Sequence, residues 1–443
     1  MHKIKRIIIA ALAIIVVAGM AAGCGNSGGT TAAPGGSPAG SAPAAGGGAA
    51  AAPSGDVIKI GYCAPFTGPL AVFTTATKWV DQKCLAVIND QNGGVTVAGK
   101  KYKIDVVYAD TQSDSTVATQ VAQKLVLQDK VNILVGAWTP TNSGPVSAVG
   151  ERYGIPTYIS NSPAESWIAS GGPYHWAFGC MFYMKDLEIN SIGALDKLDT
   201  NKKVGFVFDS GVDGVTISAM LKPMLEAKGY TVFDPGRFPQ ATTDYTDIIK
   251  KLQAQDCDIV LANMVTPDFA TMWKQFHQLG YVPKAFNIGK AVHFQADAES
   301  LGGDYANGLL SEVLWDPSFP YKSNLLNETC AQVAADWENE NHTQFPPTLG
   351  YDVTLWEVMN NALPRAASLQ PADIRTAILA TNMDGIYGHI QFDQNQVAPV
   401  PCITVQWHKG TTWPWEKTIV SSVTLPEIPA QTPFILPDTT QKN

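Results

Sequence analysis

Short apolar runs alternate with helix-period stretches along this chain, and the alternation is gone through twice. VIKIGYCAPF (57–66) is a β-run closed by the turn signal Thr67-Gly68-Pro69. Trp79, Val80, Cys84, Val87 and Ile88 then recur at helical spacing until Asn92-Gly93-Gly94 stops them. KYKIDVVYAD (101–110) is the next strand, and Val117, Val121 and Leu125 line one face of the helix after it. VNILVGAW (131–138) is apolar apart from its Asn, as a parallel strand covered on both faces should be. A helix over 146–153 leads to IPTYIS (155–160), completing a β-α-β-α-β-α-β layer structure.

The rhythm restarts near residue 200. KKVGFVFD (202–209), YTVFD (230–234), CDIVLANM (257–264) and KAFNIG (284–289) are four further strands, with helices over 215–228, 245–255 and 268–279. Gly229 and Gly280 fall where left-handed C-terminal caps belong. Two such sets exceed what one core holds, so two lobes are expected. Helices follow over 330–339, 351–363 and 373–380, with GHIQFD (388–393) and CITVQWHKG (402–410) as closing strands. TLGYDVTLWEVMNNALPRA (348–366) reads as amphipathic, its Leu355, Trp356 and Met359 forming a stripe that packs into a core.

The N-terminus sets the compartment. Lys3, Lys5 and Arg6 precede an apolar run, Ile7 to Val17, too short to span a bilayer comfortably. Ala21-Ala22-Gly23-Cys24 ends it in the manner of a bacterial lipobox, with Ala21 where Leu is usual. Residues 1–23 are therefore expected to be a lipoprotein signal and Cys24 the lipidated N-terminus; a plain secretory signal is the alternative. Residues 24–55 are almost only Gly, Ala, Ser, Pro, Thr and Asn, a composition that buries nothing and suits a flexible tether. Losing the signal takes the formal charge from −9 to −12, with no basic run for nucleic acid. The other six cysteines, Cys63, Cys84, Cys180, Cys257, Cys330 and Cys402, show no CxxC and argue against zinc. Spacing does not choose between disulfides, with Cys63–Cys84 the first pair to test, and buried free thiols.

Six segments in order carry a family resemblance. They are APFTGPLA (64–71), INDQNGGVTVAGKKYKIDVVYADTQSDSTVATQVAQKLV (88–126), ILVGAWTPTNSGPVSAVGERYGIPTYISNS (133–162), GFVFDSGVDG (205–214), TTDYTDIIKKLQAQDCDIVL (242–261) and MDGIYGHIQFD (383–393). Together they resemble the type I periplasmic solute-binding proteins, in the Leu/Ile/Val-binding branch that serves ABC importers. The resemblance implies two doubly wound, Rossmann-like α/β lobes joined by a three-segment hinge. Lobe 1 would take 56–179 and 311–394, lobe 2 would take 180–310 and 395–424, and 425–443 would be a tail. It further implies a small-molecule ligand, ABC permease and ATPase partners, a lipid anchor in the membrane, a monomer and no cofactor.

Ligands of open parallel sheets sit beyond the carboxyl ends of strands. On lobe 1 that points to Phe66, Thr67, Trp138, Thr139, Pro140, Thr141, Asn161 and Ser162; on lobe 2 to Tyr183, Asp213, Val265 and Lys290. The hydroxyls and free N–H groups suit a carboxylate, although Thr139, Thr141 and Ser143 would serve equally as helix caps. Of the nearby aromatics, Phe73, Trp167, Trp176, Phe178 and Phe182 are read as packing. Amino-acid binders of the resembled family commonly place an acid after the fourth second-lobe strand, to meet the ligand's ammonium; here Lys290 stands there. Either the ligand lacks an amine, or Asp213 substitutes, or Lys290 points to solvent. The ligand expected is an amino acid or a carboxylate with an apolar or aromatic body.

Two rivals remain. A hydrolase lacks any G-x-S-x-G, H-E-x-x-H or P-loop to build on, and His175, His277 and His293 show no paired carboxylate in sequence. A sensing receptor would share the lobes, but usually continues into a transmembrane helix, which the Pro- and Thr-rich 425–443 does not resemble.

Overall fold

A computed structural model describes residues 56–431 and 434–436. The expected signal, Cys24 and the tether lie outside them. The first half of the chain supplies β1 (Val57–Ala64), α1 (Thr77–Leu85), β2 (Val95–Val97), β3 (Lys100–Asp110), α2 (Ser115–Leu127), β4 (Ile133–Ala137), α3 (Thr139–Tyr153), β5 (Thr157–Ser160), α4 (Ala164–Ala169) and β6 (Ala177–Met181). Then come α5 (Met184–Leu195), β7 (Lys203–Asp209), α6 (Val212–Ala227), β8 (Thr231–Phe233), β9 (Arg237–Phe238), α7 (Thr246–Ala254), β10 (Ile259–Asn263), α8 (Thr266–Gln278), β11 (Ala285–Gly289), α9 (Gln295–Ser300) and β12 (Leu310–Val313). The chain closes with α10 (Cys330–Asn341), α11 (Leu349–Ala362), α12 (Pro371–Leu379), β13 (Asn382–Gly385), β14 (Gly388–Gln391), β15 (Val397–Pro399), β16 (Ile403–Lys409) and β17 (Trp415–Ser421).

Two large sheets result. The first has the order β15-β6-β5-β4-β1-β3-β2, parallel except for β2 on β3. The second runs β17-β16-β12-β11-β10-β7-β8 and turns antiparallel at β16 and β17. Each is covered on both faces. In β1, Tyr62 faces the core under α1 and α11, while the next residue, Cys63, faces the one under α2 and α3. In the second sheet Phe206 packs toward α5 and α6, and Val207 toward α7 and α8. Local chemistry fixes the helix ends: Asp114 caps α2 by accepting from the Thr116 and Val117 N–H groups, and Gly154 closes α3 at φ +66°.

Several expectations need correcting. Cys180 and Met181 belong to β6 and residues 397–399 to β15, both in the first sheet, whereas 311–313 lie in β12 of the second. The sequence reading places no strand over Ala177–Met181, yet one forms there, with Phe178 packed on Tyr158 and Phe392. Of the two states left open for the cysteines, Cys63, Cys84, Cys180, Cys257, Cys330 and Cys402 take the second and are buried free thiols. Cys63 and Cys84 lie on opposite faces of the first sheet, so they cannot meet. Finally, α11 is buried nearly all round rather than on one stripe. Besides Leu355, Trp356 and Met359 it buries Asp352 and Glu357, and only its Asn360 and Asn361 are partly exposed.

The chain passes between the sheets three times. Phe182 and Tyr183 join β6 to α5, which packs on β16 and β17. Leu314 and Trp315 leave β12, and Val400, Pro401 and Cys402 join β15 to β16.

Candidate functional site

The carboxyl ends of four parallel strands converge on one cavity. From the first sheet, β4 runs into Trp138 and Thr139, and β5 into Asn161; from the second, β10 ends at Asn263, and β11 runs into Lys290 and His293. Asp213 and Ile217 on α6, Met184 and Leu187 on α5, and Glu312 on β12 complete the second-sheet side. Phe73 and Pro163 close the first. Phe182 and Leu314, on two of the three crossings, line the cavity as well. The empty space is about 460 Å³ with its opening included. Phe73 spans the two sides, stacking on Trp138 at 5.9 Å and meeting Phe294 and His293 edge-on at 5.3 and 5.9 Å.

Three of the lining residues carry unusual backbone angles. Thr139, Asn161 and Lys290 adopt left-handed φ of +64°, +55° and +70°, which costs a residue with a Cβ about 1 kcal/mol or more. Such angles persist where surrounding structure enforces them, and they turn these side chains toward the cavity. Trp138 Nε1, Thr139 Oγ1, Asn263 Oδ1, Asp213 Oδ1 and His293 Nδ1 are all buried without a hydrogen-bond partner among the described residues. Buried polar groups are normally satisfied. Five such atoms border this one cavity. No side chain caps α3, so Thr139 is not serving as a cap.

The electrostatics are built around Lys290. Its Nζ lies 2.9 Å from Asp213 Oδ2, with both side chains under a tenth exposed. Burial opposes the charge, but Asp213, Asp209 and Asp268 outweigh it and hold the ammonium above its usual range. Lys290 therefore does not point to solvent. Glu312 accepts from the Lys290 backbone N–H at 3.2 Å and lies 3.0 Å from His293 Nε2. His293 thus does have a carboxylate partner, brought from a strand some twenty residues on that no local pattern reveals.

Of the residues singled out in sequence, Trp138, Thr139, Asn161, Asp213 and Lys290 line the cavity, and seven do not. Phe66 packs in an aromatic group with Tyr62 and Tyr108. Thr67 is exposed and bonds Asp110 through both its N–H and its hydroxyl. Pro140 and Thr141 sit in the first turn of α3, outside the cavity's lining. Ser162 Oγ pairs with Ser143 Oγ at 3.2 Å beneath the site. Tyr183 donates to Asp393 and accepts from Asn395 at 3.1 Å, tying a crossing to the first-sheet side. Val265 is the N-cap of α8. Sequence reading took Phe73 and Phe182 for packing and passed over Glu312; a lone acid in the apolar run LLSEVLW was the available signal. Among the described residues no group of three or more His, Cys, Asp or Glu is placed to hold a metal, and no helix is long and apolar enough to cross a membrane.

Comparison with known proteins places this architecture. The model of the family described as periplasmic binding protein matches residues 57–411. The chain belongs to that family. Its members bind solutes and are not enzymes. Among curated relatives, a Leu/Ile/Val-binding protein homolog 7 of Brucella abortus is 23% identical over 85% of this chain and 96% of its own length. Among solved structures, the leucine-binding protein LivK of Thermotoga maritima superposes with TM-score 0.70 at 19% identity, covering 83% of this chain and 99% of that one. A solute-binding protein of Rhodopseudomonas palustris in complex with 3,4-dihydroxybenzoic acid superposes with TM-score 0.64 at 16% identity, covering 83% and 98%. These two establish the type I α/β fold of this periplasmic binding protein.

Proposed function

We propose that this periplasmic binding protein captures a small carboxylate with an apolar or aromatic body and hands it to an ABC importer. The observation that carries the ligand class is Lys290. In the resembled amino-acid binders an acid stands at this position to meet an ammonium; here a buried lysine does, already neutralised by Asp213. An α-ammonium there would meet in Asp213 an acid whose charge Lys290 already offsets, so that acid offers it no free counter-charge. A carboxylate is favoured by the unpaired Trp138 Nε1 and Thr139 hydroxyl donors, and a flat apolar body by Phe73, Trp138, Phe182 and Leu314. The dihydroxybenzoate complex of the Rhodopseudomonas relative supports the same reading. Capture proceeds by closure of the two lobes about the three crossings, with the closed form favoured by its extra contacts to the ligand. Lipidation at Cys24 keeps the binder beside permease and ATPase partners and raises its effective concentration there.

A thermal-shift panel tests the ligand class: benzoates should raise the melting temperature, and leucine, isoleucine and valine should not. Stabilisation by the branched-chain amino acids alone would sink the reading. For the anchor, Cys24→Ala should release the protein from the membrane fraction.

A further inference from the structure

Behind the ligand cavity lies a second, more enclosed space of about 300 Å³, its opening included. The two share Leu187, Ile217, Asn263 and Glu312 as a common wall. Helices α5 and α6 cover one side of it, and the ends of β10 and β11 the other. We propose that this chamber is a subsite for a hydrogen-bond-donating group, a hydroxyl or an ammonium, at the end of the ligand remote from its carboxylate. The inference rests on the carboxylate reading above and adds to it: the cargo is bipolar.

The lining supports this. Glu188 is 6% exposed and makes no hydrogen bond among the described residues. Asn263 borders both spaces, its Nδ2 toward Gly289 and its Oδ1 a buried acceptor without a partner among them. Glu312 uses Oε1 on the Lys290 N–H and His293, which leaves Oε2 toward Gly289. Gly289 keeps the space open: a Cβ there would lie 2.8 Å from Asn263 Nδ2 and 3.2 Å from Glu312 Oε2. Four acceptor-bearing side chains, Glu188, Asn263, Asn287 and Glu312, thus line the space, Asn287 giving its Nδ2 to Ser191, and Lys290 in the neighbouring cavity is engaged by Asp213. Burial, with Glu312 and Glu165 adding to it, pushes Glu188 up to about 8, so at neutral pH it is a protonated acid. Its carbonyl oxygen then accepts from a hydroxyl; an entering ammonium would drive its proton off to solvent and meet a carboxylate.

Titration calorimetry with benzoate, 4-methoxybenzoate, 4-hydroxybenzoate and 4-(aminomethyl)benzoate tests the subsite. One or both donor-bearing compounds should bind about tenfold tighter than benzoate, and the methoxy compound no tighter. The gain should vanish in Glu188→Met and in Gly289→Ala, which fills the chamber, while benzoate affinity stays close to wild type in whichever variant folds. As pH rises through about 8, affinity for an ammonium ligand should increase and for a hydroxyl ligand should not, which tells the two apart. Equal binding of all four compounds, or a gain that survives both variants, would overturn the subsite and leave the carboxylate reading standing. Binding of none would overturn both.

Discussion

Lys290 and Asp213 hold each other in place, and that mutual dependence decides what substitution does to them. Lys290→Met strands a buried carboxylate, which costs about 3–5 kcal/mol. Denaturant titration should show the loss, and pairing the change with Asp213→Leu should recover much of it. A neutral Lys290→Met would mean the pair is solvated. Thr139 is the converse case, since relief of its φ of +64° by Thr139→Gly should stabilise the fold by about 1 kcal/mol while weakening ligand binding, because its hydroxyl goes too. Sequence reading reached Trp138, Thr139, Asn161, Asp213 and Lys290 because each follows directly, or within a few residues, from a strand end. It failed at Phe66 and Thr67, which also follow a strand, because Asp110 holds that turn away from the cavity. It failed at Glu312 because that side chain comes from the strand itself.

Helices α1 and α11 bury acids against each other. Asp81 accepts from Trp356 Nε1 at 2.6 Å and Tyr108 OH at 2.7 Å, and Asp352 lies 3.3 Å from Tyr62 OH. Burial pushes Asp81 and Glu357 up to about 7 and Asp352 well above its ordinary range. A carboxyl raised in the folded state binds more protons there than in the unfolded chain. Stability from these groups is therefore fully present below about pH 4 and is lost as pH rises through about 7. Melting temperature should fall from pH 5 to pH 8, and Asp81→Asn should flatten that slope; a rise with pH would contradict it. Gly350 on α11 is bound as tightly by shape, since a Cβ would meet Trp315 Cδ1 at 2.2 Å. Gly350→Ala should cost about 1–3 kcal/mol by overpacking, read by the same denaturant titration. At this scale the buried parallel strands were legible because both faces demand apolar runs, as in β4 and β10. The short β15 was not: three residues, Val-Ala-Pro, become a strand only because β6 is beside them. All-round burial of α11 was equally hidden, since its acids read as a polar face until Tyr62 and Thr77 are brought to Asp352 and the backbone N–H of Ile386 to Glu357.

Across the whole molecule, the two sheets are linked by segments of very unequal freedom. Between Pro399 and Ile403 the chain can reach at most roughly 13 Å. Inserting two glycines after Pro401 should loosen that link, lowering ligand affinity without changing the ligand order, and small-angle scattering should show a wider unliganded form. Unchanged affinity and scattering would mean that another segment sets the motion. Phe182 and Leu314 lie on the other two links and also line the cavity, so a guest held there would sit near the axle rather than at the rim. Near an axle a turn displaces things least, and misfit of a fraction of an ångström there becomes a gap several times larger at the outer lips. A downstream reader could thus judge the quality of the cargo from the far edges alone, without ever touching it.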